Sequence, residues 1–164
     1  DDEEAYLAAG YTISEAKVAA FSRLGLPHLA QLKELGLQMV EVAKSYRSSG
    51  DDNSAQALLH MAVRLGQNYS SEDYGLGQLV GLTISRLGVN AMDPNSAYGN
   101  SGYTVGEVSD RLLQEKTELS KLFNQADTLL GTVPDQDCIN YIDRAKGFGE
   151  EAAIRWLVGK YEQR

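Results

Sequence analysis

MVEVAKSYRSSGDDNSAQALLHMAVRLG, Met39–Gly66, reads as two amphipathic helices hinged at Gly50-Asp51. Small, aromatic and aliphatic residues stand at Ala43, Tyr46, Gly50, Ala55, Leu59 and Ala62. Two antiparallel helices need this kind of pattern, with small residues where the backbones cross, a large ring beside them and a Gly-Asp turn between. Extending the period upstream, Leu29, Leu32, Leu35, Met39, Val42 and Tyr46 recur in steps of three and four, which predicts a helix from Pro27 to Arg47 with that stripe buried. Pro27 opens it, where a missing N–H costs little. The partner helix, 54–66, carries Ala55, Leu58, Leu59, Ala62 and Leu65, and so short a turn forces a hairpin.

Helical periodicity continues on both sides. Asp1–Glu4 leads into a short helix ending near Gly10, and Thr12 with Glu15 forms a capping box for the next, which stops at Gly25-Leu26-Pro27. After Asn68–Asp73, a helix presents Leu76, Leu79, Val80, Thr83, Ile84 and Leu87, with Gly75, Gly77, Gly81 and Gly88 expected to let a neighbour approach closely. Periodicity disappears over NAMDPNSAYGNSGY, Asn90–Tyr103, an uncommonly long loop and therefore a second candidate contact surface or a mobile segment. Thr104 and Glu107 form another capping box and start the longest helix, to about Leu130. Pro134-Asp135 opens a helix with Ile139, Ile142 and Ala145, and after Gly147-Phe148-Gly149 a final helix turns Ala153, Trp156, Leu157 and Tyr161 inward. Gly10-Tyr11-Thr12 and Gly102-Tyr103-Thr104 repeat one start signal, each Tyr placed to staple against the first turn. Strand signals are almost absent. The expectation is one all-α domain over 1–164, a helical-hairpin array with a long C-terminal hairpin, roughly eight helices and a helix content near 70%, well above the globular average.

At 164 residues, with 43% hydrophobic and 23% charged residues, the chain is long enough to bury a substantial core. A net charge of −8 with scattered basic residues argues against nucleic acid, which attracts clustered Lys and Arg. The single cysteine, Cys138, allows no intramolecular disulfide and no multi-cysteine zinc site. No apolar run of about 18 residues spans a membrane. Because residue 1 is Asp and not Met, native residues are expected to precede it, with a slight lean to an exported or membrane-anchored, extracytoplasmic setting.

The segment from Gly36 to Tyr69 resembles a tetratricopeptide repeat at Ala43, Tyr46, Gly50, Ala55, Leu59 and Ala62. Met39 and Gln67 depart from the family's usual Trp and Pro, Leu59 replaces the usual aromatic, and no second good copy lies one period away. The resemblance implies a module that binds a peptide or protein rather than doing chemistry. It also implies a concave surface lined by the first helix of each pair, with Gln38, Glu41, Ser45 and Arg47 as candidate contacts.

No catalytic, cofactor-binding or metal-ligating residue is assigned. His28 and His60 stand far apart, the first expected exposed and the second partly buried, and Cys138 reads as a small buried apolar side chain. Asp93-Pro94-Asn95 opens like a calcium loop, but Tyr98 and Thr104 occupy its glycine and glutamate positions. Gly75-Leu76-Gly77 with Gly81 misses the dinucleotide spacing and follows no strand. Asn68-Tyr69-Ser70 matches a glycosylation sequon. The functional expectation is thus a non-enzymatic protein- or peptide-binding or scaffolding domain. The alternatives are a small all-α enzyme with a site assembled from scattered residues, or a structural subunit of an oligomeric or membrane-anchored assembly, including a homo-oligomer.

Overall fold

The chain reverses at Gly50, whose φ of +85° is a left-handed conformation that side chains with a Cβ resist. Asp51 then caps the following helix by accepting the Ser54 N–H at 3.0 Å, and hydrogen bonds from the Ser54 hydroxyl and this N–H hold its carboxyl below the ordinary range. The computed structural model describes residues 2–23, 27–70 and 75–162. Among these, 82% of residues are helical, in eight helices with no strand. They are α1 (Asp2–Ala8), α2 (Ile13–Arg23), α3 (Pro27–Ser48), α4 (Asp52–Ser70), α5 (Gly75–Asn90), α6 (Val105–Leu130), α7 (Asp135–Phe148) and α8 (Glu150–Tyr161). The fold is all-α. The expected stop at Gly25-Leu26 and the side chain of the expected cap Glu15 lie outside the described residues.

The chain groups into two compact units. One comprises 27–72 and 76–118. Its core joins Val40 and Ala43 of α3, Ala55, Leu59 and Val63 of α4, Val89 of α5, Met92 just after it, and Val105 of α6. Helices α4 and α5 approach to near backbone contact because their facing residues are glycines. A Cβ on Gly66 would collide with the Gly81 carbonyl and with Ser85, and one on Gly81 would strike the backbone at Ser70. Ser85, buried there, donates to the Val63 carbonyl at 3.3 Å.

The buried face of α3 departs from the expected stripe. Leu29 is buried, and Leu32 and Met39 are half-buried, but Leu35, Val42 and Tyr46 remain 43%, 47% and 41% exposed. The buried set is Leu29, Gly36, Val40 and Ala43. Small residues win this face because close helix crossings select them. The large apolar side chains next to them are turned outward.

The loop 91–104 is not loosely tethered. Tyr98 N–H donates to the Tyr103 carbonyl at 2.9 Å, Val105 N–H to Ser96 at 2.9 Å and Gly106 N–H to Pro94 at 3.0 Å, around an antiparallel bridge between Ala97 and Thr104. The second capping box forms as expected, with Thr104 N–H reaching Glu107 at 2.7 Å and Glu107 N–H reaching Thr104 Oγ1 at 3.2 Å. The Thr104 N–H and, at 3.1 Å, the Thr104 hydroxyl both donate to the Glu107 carboxylate and hold it below its ordinary value. The Tyr103 ring lies under the Arg111 guanidinium, 3.6 Å from the centroid.

The other unit comprises 1–26, 73–75 and 119–164. Its core gathers Ala126 of α6, Tyr141, Ile142 and Ala145 of α7, and Ala153, Ile154, Leu157 and Val158 of α8, with Val18 of α2 packed against it. Trp156 and Tyr161, expected inward, are half-buried. Gly149, at φ +85°, turns the chain between α7 and α8. The Glu150 carboxylate accepts from Tyr141 Oη at 3.0 Å and from Gly75 N–H at 2.8 Å. Burial, reinforced by that carboxylate, holds the Tyr141 phenol far above its ordinary value. Asp137, almost fully buried, accepts from Lys160 at 2.6 Å, from Tyr161 Oη and from Asn140.

Candidate functional site

The outward face of α3 has a definite register. With Leu32, Met39 and Tyr46 at positions a, and Leu35 and Val42 at positions d, the helix carries an unbroken heptad seam over two heptads. The core-facing residues Leu29, Gly36 and Ala43 then fall at e, and Lys33, Val40 and Arg47 at b. Burial falls across the helix in the order e, a, d, so the seam begins at the edge of the core and runs out to its most exposed row, Leu35 and Val42. A row of this kind is normally covered by another helix.

The polar neighbours of the seam include three of the four residues singled out from sequence. Gln38 and Ser45 occupy g, beside the d row, and Glu41 occupies c, one row further out, with Glu34. All are exposed. Gln38 donates to Glu34 at 3.2 Å, Lys44 pairs with Glu41 at 2.7 Å, and Ser45 Oγ donates to the Glu41 carbonyl at 3.2 Å. These are local bonds of a solvated helix surface, worth little individually. Arg47 stands apart from the other three. From position b it donates to the Ala91 carbonyl at 3.0 Å and lies 4.0 Å from Asp52, so it ties the hairpin to the chain just after α5. The structure therefore brings together Gln38, Glu41 and Ser45 and places Arg47 on the opposite side of the helix.

The remaining motifs occupy ordinary settings. His28 is exposed, with its ring 6.4 Å from that of Tyr69. His60 is exposed rather than partly buried, because its side chain leaves α4 on the solvent side, 6.2 Å from the Tyr98 ring. Cys138 is buried with its thiol toward the Leu130 carbonyl at 3.7 Å. Asn68 sits in the last turn of α4. Asp93 accepts the Asn95 N–H at 3.0 Å in a local turn. Among the described residues no group of three or more His, Cys, Asp or Glu is placed to hold a metal ion, and no helix is long and apolar enough to cross a membrane.

Sequence reasoning missed the seam because it assigned those residues to the interior. The signal was present in the spacing: steps of four, three and four from Leu35 to Tyr46 describe a coiled-coil seam as well as a core stripe. Compared with protein-family models, with curated proteins and with solved structures, the chain matches none of them.

Proposed function

We propose that this protein is a non-enzymatic protein-binding domain in which α3–α4 acts as a single tetratricopeptide-like hairpin. The outer face of α3 receives one amphipathic helix of a partner. The observation that carries the reading is the exposure of Leu35, Val42 and Tyr46 in heptad register on a 22-residue helix. In stacked hairpins each outer apolar face is covered by the next hairpin. Here that face is open, and a helix laid along it would bury the seam in the helix-in-groove manner.

The flank of the seam defines the partner further. Glu34 and Glu41 form an acidic row beyond Gln38 and Ser45, on a chain of net charge −8. The favoured partner helix thus pairs an apolar face with Lys or Arg along one edge. The charges steer encounter and set orientation, while the apolar seam supplies most of the affinity.

The test is a designed helical peptide with Leu at a and d and Lys at the flanks, titrated by fluorescence anisotropy against a scrambled peptide of the same composition. The patterned peptide is expected to bind at least about tenfold more tightly than the scramble, and Val42→Glu to remove about that advantage by placing a charge in an apolar contact. Equal binding of both peptides, or indifference to Val42→Glu in a folded variant, would overturn the proposal.

A further inference from the structure

Helices α7 and α8 leave between them an open cavity of about 460 Å³, lined by Asn140, Asp143, Arg144, Phe148 and Trp156. Sites for small molecules and peptide ends have volumes of this order, roughly 300–1,000 Å³. Its apolar wall is unusual for a surface feature. Phe148, at the end of α7, is 74% exposed, and the half-buried ring of Trp156 opens onto the same space. Gly149 produces this arrangement: by reversing the chain immediately after Phe148 it leaves the ring beyond the last packed turn.

The charges around Trp156 are not equivalent. The Lys160 ammonium lies 5.4 Å from the ring centroid, but it is committed to Asp137 at 2.6 Å. The Arg144 guanidinium lies 4.7 Å from the same centroid and makes no ion pair among the described residues. Stacking on the indole fixes the guanidinium without consuming its hydrogen-bonding fork. Asn140 is held at the cavity wall by bonds to Asp137 at 3.4 Å and from Gln136 at 3.3 Å. The result is a pre-positioned cation on the Trp156 ring, unpaired among the described residues, with Phe148 lining the same cavity.

We propose that this cavity binds the free C-terminus of a peptide whose last residue is apolar or aromatic. The terminal carboxylate takes the bidentate fork of Arg144, and the last side chain covers Trp156 and Phe148. Asp143, on the same rim, disfavours a second acidic group near the terminus. This site is distinct from the α3 seam and recognises a chain end rather than a helix face.

Trp156 is the chain's only tryptophan, so its fluorescence reports on the cavity directly. The experiment titrates the full chain with acetyl-Ala-Ala-Phe as the free acid and as its C-terminal amide, and repeats both by calorimetry. The acid is expected to change the emission saturably and to bind about tenfold or more tightly than the amide. The net charge of −8 works against that preference, so non-specific attraction cannot generate it. Arg144→Gln should bring the acid down to the level of the amide, and Asp143→Asn should tighten acid binding two- to threefold, as an order-of-magnitude expectation for removing one exposed like charge. Equal binding of acid and amide, no saturable signal with either, or acid binding that survives Arg144→Gln would each overturn the proposal.

Discussion

Gly66 and Gly81 illustrate how a single hydrogen atom in place of a methyl group sets a helix crossing. Alanine favours helix by about 1 kcal/mol over glycine on an open surface. At Gly66 its Cβ would overlap the Gly81 carbonyl and Ser85, neither of which can retreat along a flexible side chain. Gly66→Ala should therefore destabilise the protein by about 1–3 kcal/mol in denaturant unfolding, against the sign that helix propensity alone gives. Asp137 makes a second residue-scale case. Hydrogen bonds from Lys160 and Tyr161 hold its carboxyl below the ordinary value of about 3.9. Its ionised form then stabilises the fold at every pH above that value, and the contribution is lost as pH falls through the lower folded value. Asp137→Asn should lower Tm at neutral pH and flatten the decline of Tm below about pH 4, the ordinary titration range of the group. Gly81 was legible as a close-approach residue because nothing else explains several glycines in α5, whereas Gly66 read as the end of α4. The Asp137 network was not legible, since its partners lie in α8 and meet it only after the hairpin closes.

At the scale of the element, the clearest lesson is in α3. Caps and turn residues located its ends to within a residue, as they did for α6, because capping is local chemistry, whereas α4, expected over 54–66, runs on through Gly66 to Ser70. Which face it buries was not legible in the same way. Periodicity reading weights residues by size, whereas the crossing with α4 selects the small pair Ala43 and Ala55, both fully or nearly buried. Two substitutions one residue apart separate the faces. Ala43→Leu should overpack the hairpin and cost about 1–3 kcal/mol, while Val42→Ser should stay within about 0.5 kcal/mol of the parent, both measured by chemical denaturation. Had the stripe been buried as the spacing alone predicts, Val42→Ser would be the damaging change. At the start of α6, Thr104→Ala removes one half of a formed capping box and should cost about 1 kcal/mol in the same measurement.

For the whole molecule, the all-α architecture was legible throughout, since almost every segment carries a 3.6-residue period and a recognisable start. Function was less so. The α3 seam depends on which of two overlapping stripes packs inward, and the α7–α8 cavity joins residues whose meeting depends on one glycine turn. Charge acts at this scale as well. A chain of net charge −8 at neutral pH loses its mutual repulsion near its isoelectric point of about 4.7, with the apolar seam still exposed. Static light scattering should show reversible self-association rising toward that pH, and Val42→Glu should reduce it.

The hydrogen-bonded loop after α5 has one more consequence. Polar, glycine-rich connections are where proteases nick a chain and where engineers insert a tag. With the amides of Tyr98, Val105 and Gly106 all engaged by backbone carbonyls, this segment is a poor substrate and a poor insertion point despite its composition. Those three amides should be protected from deuterium uptake well beyond those of Gly99 and Asn100 at the exposed tip of the same loop.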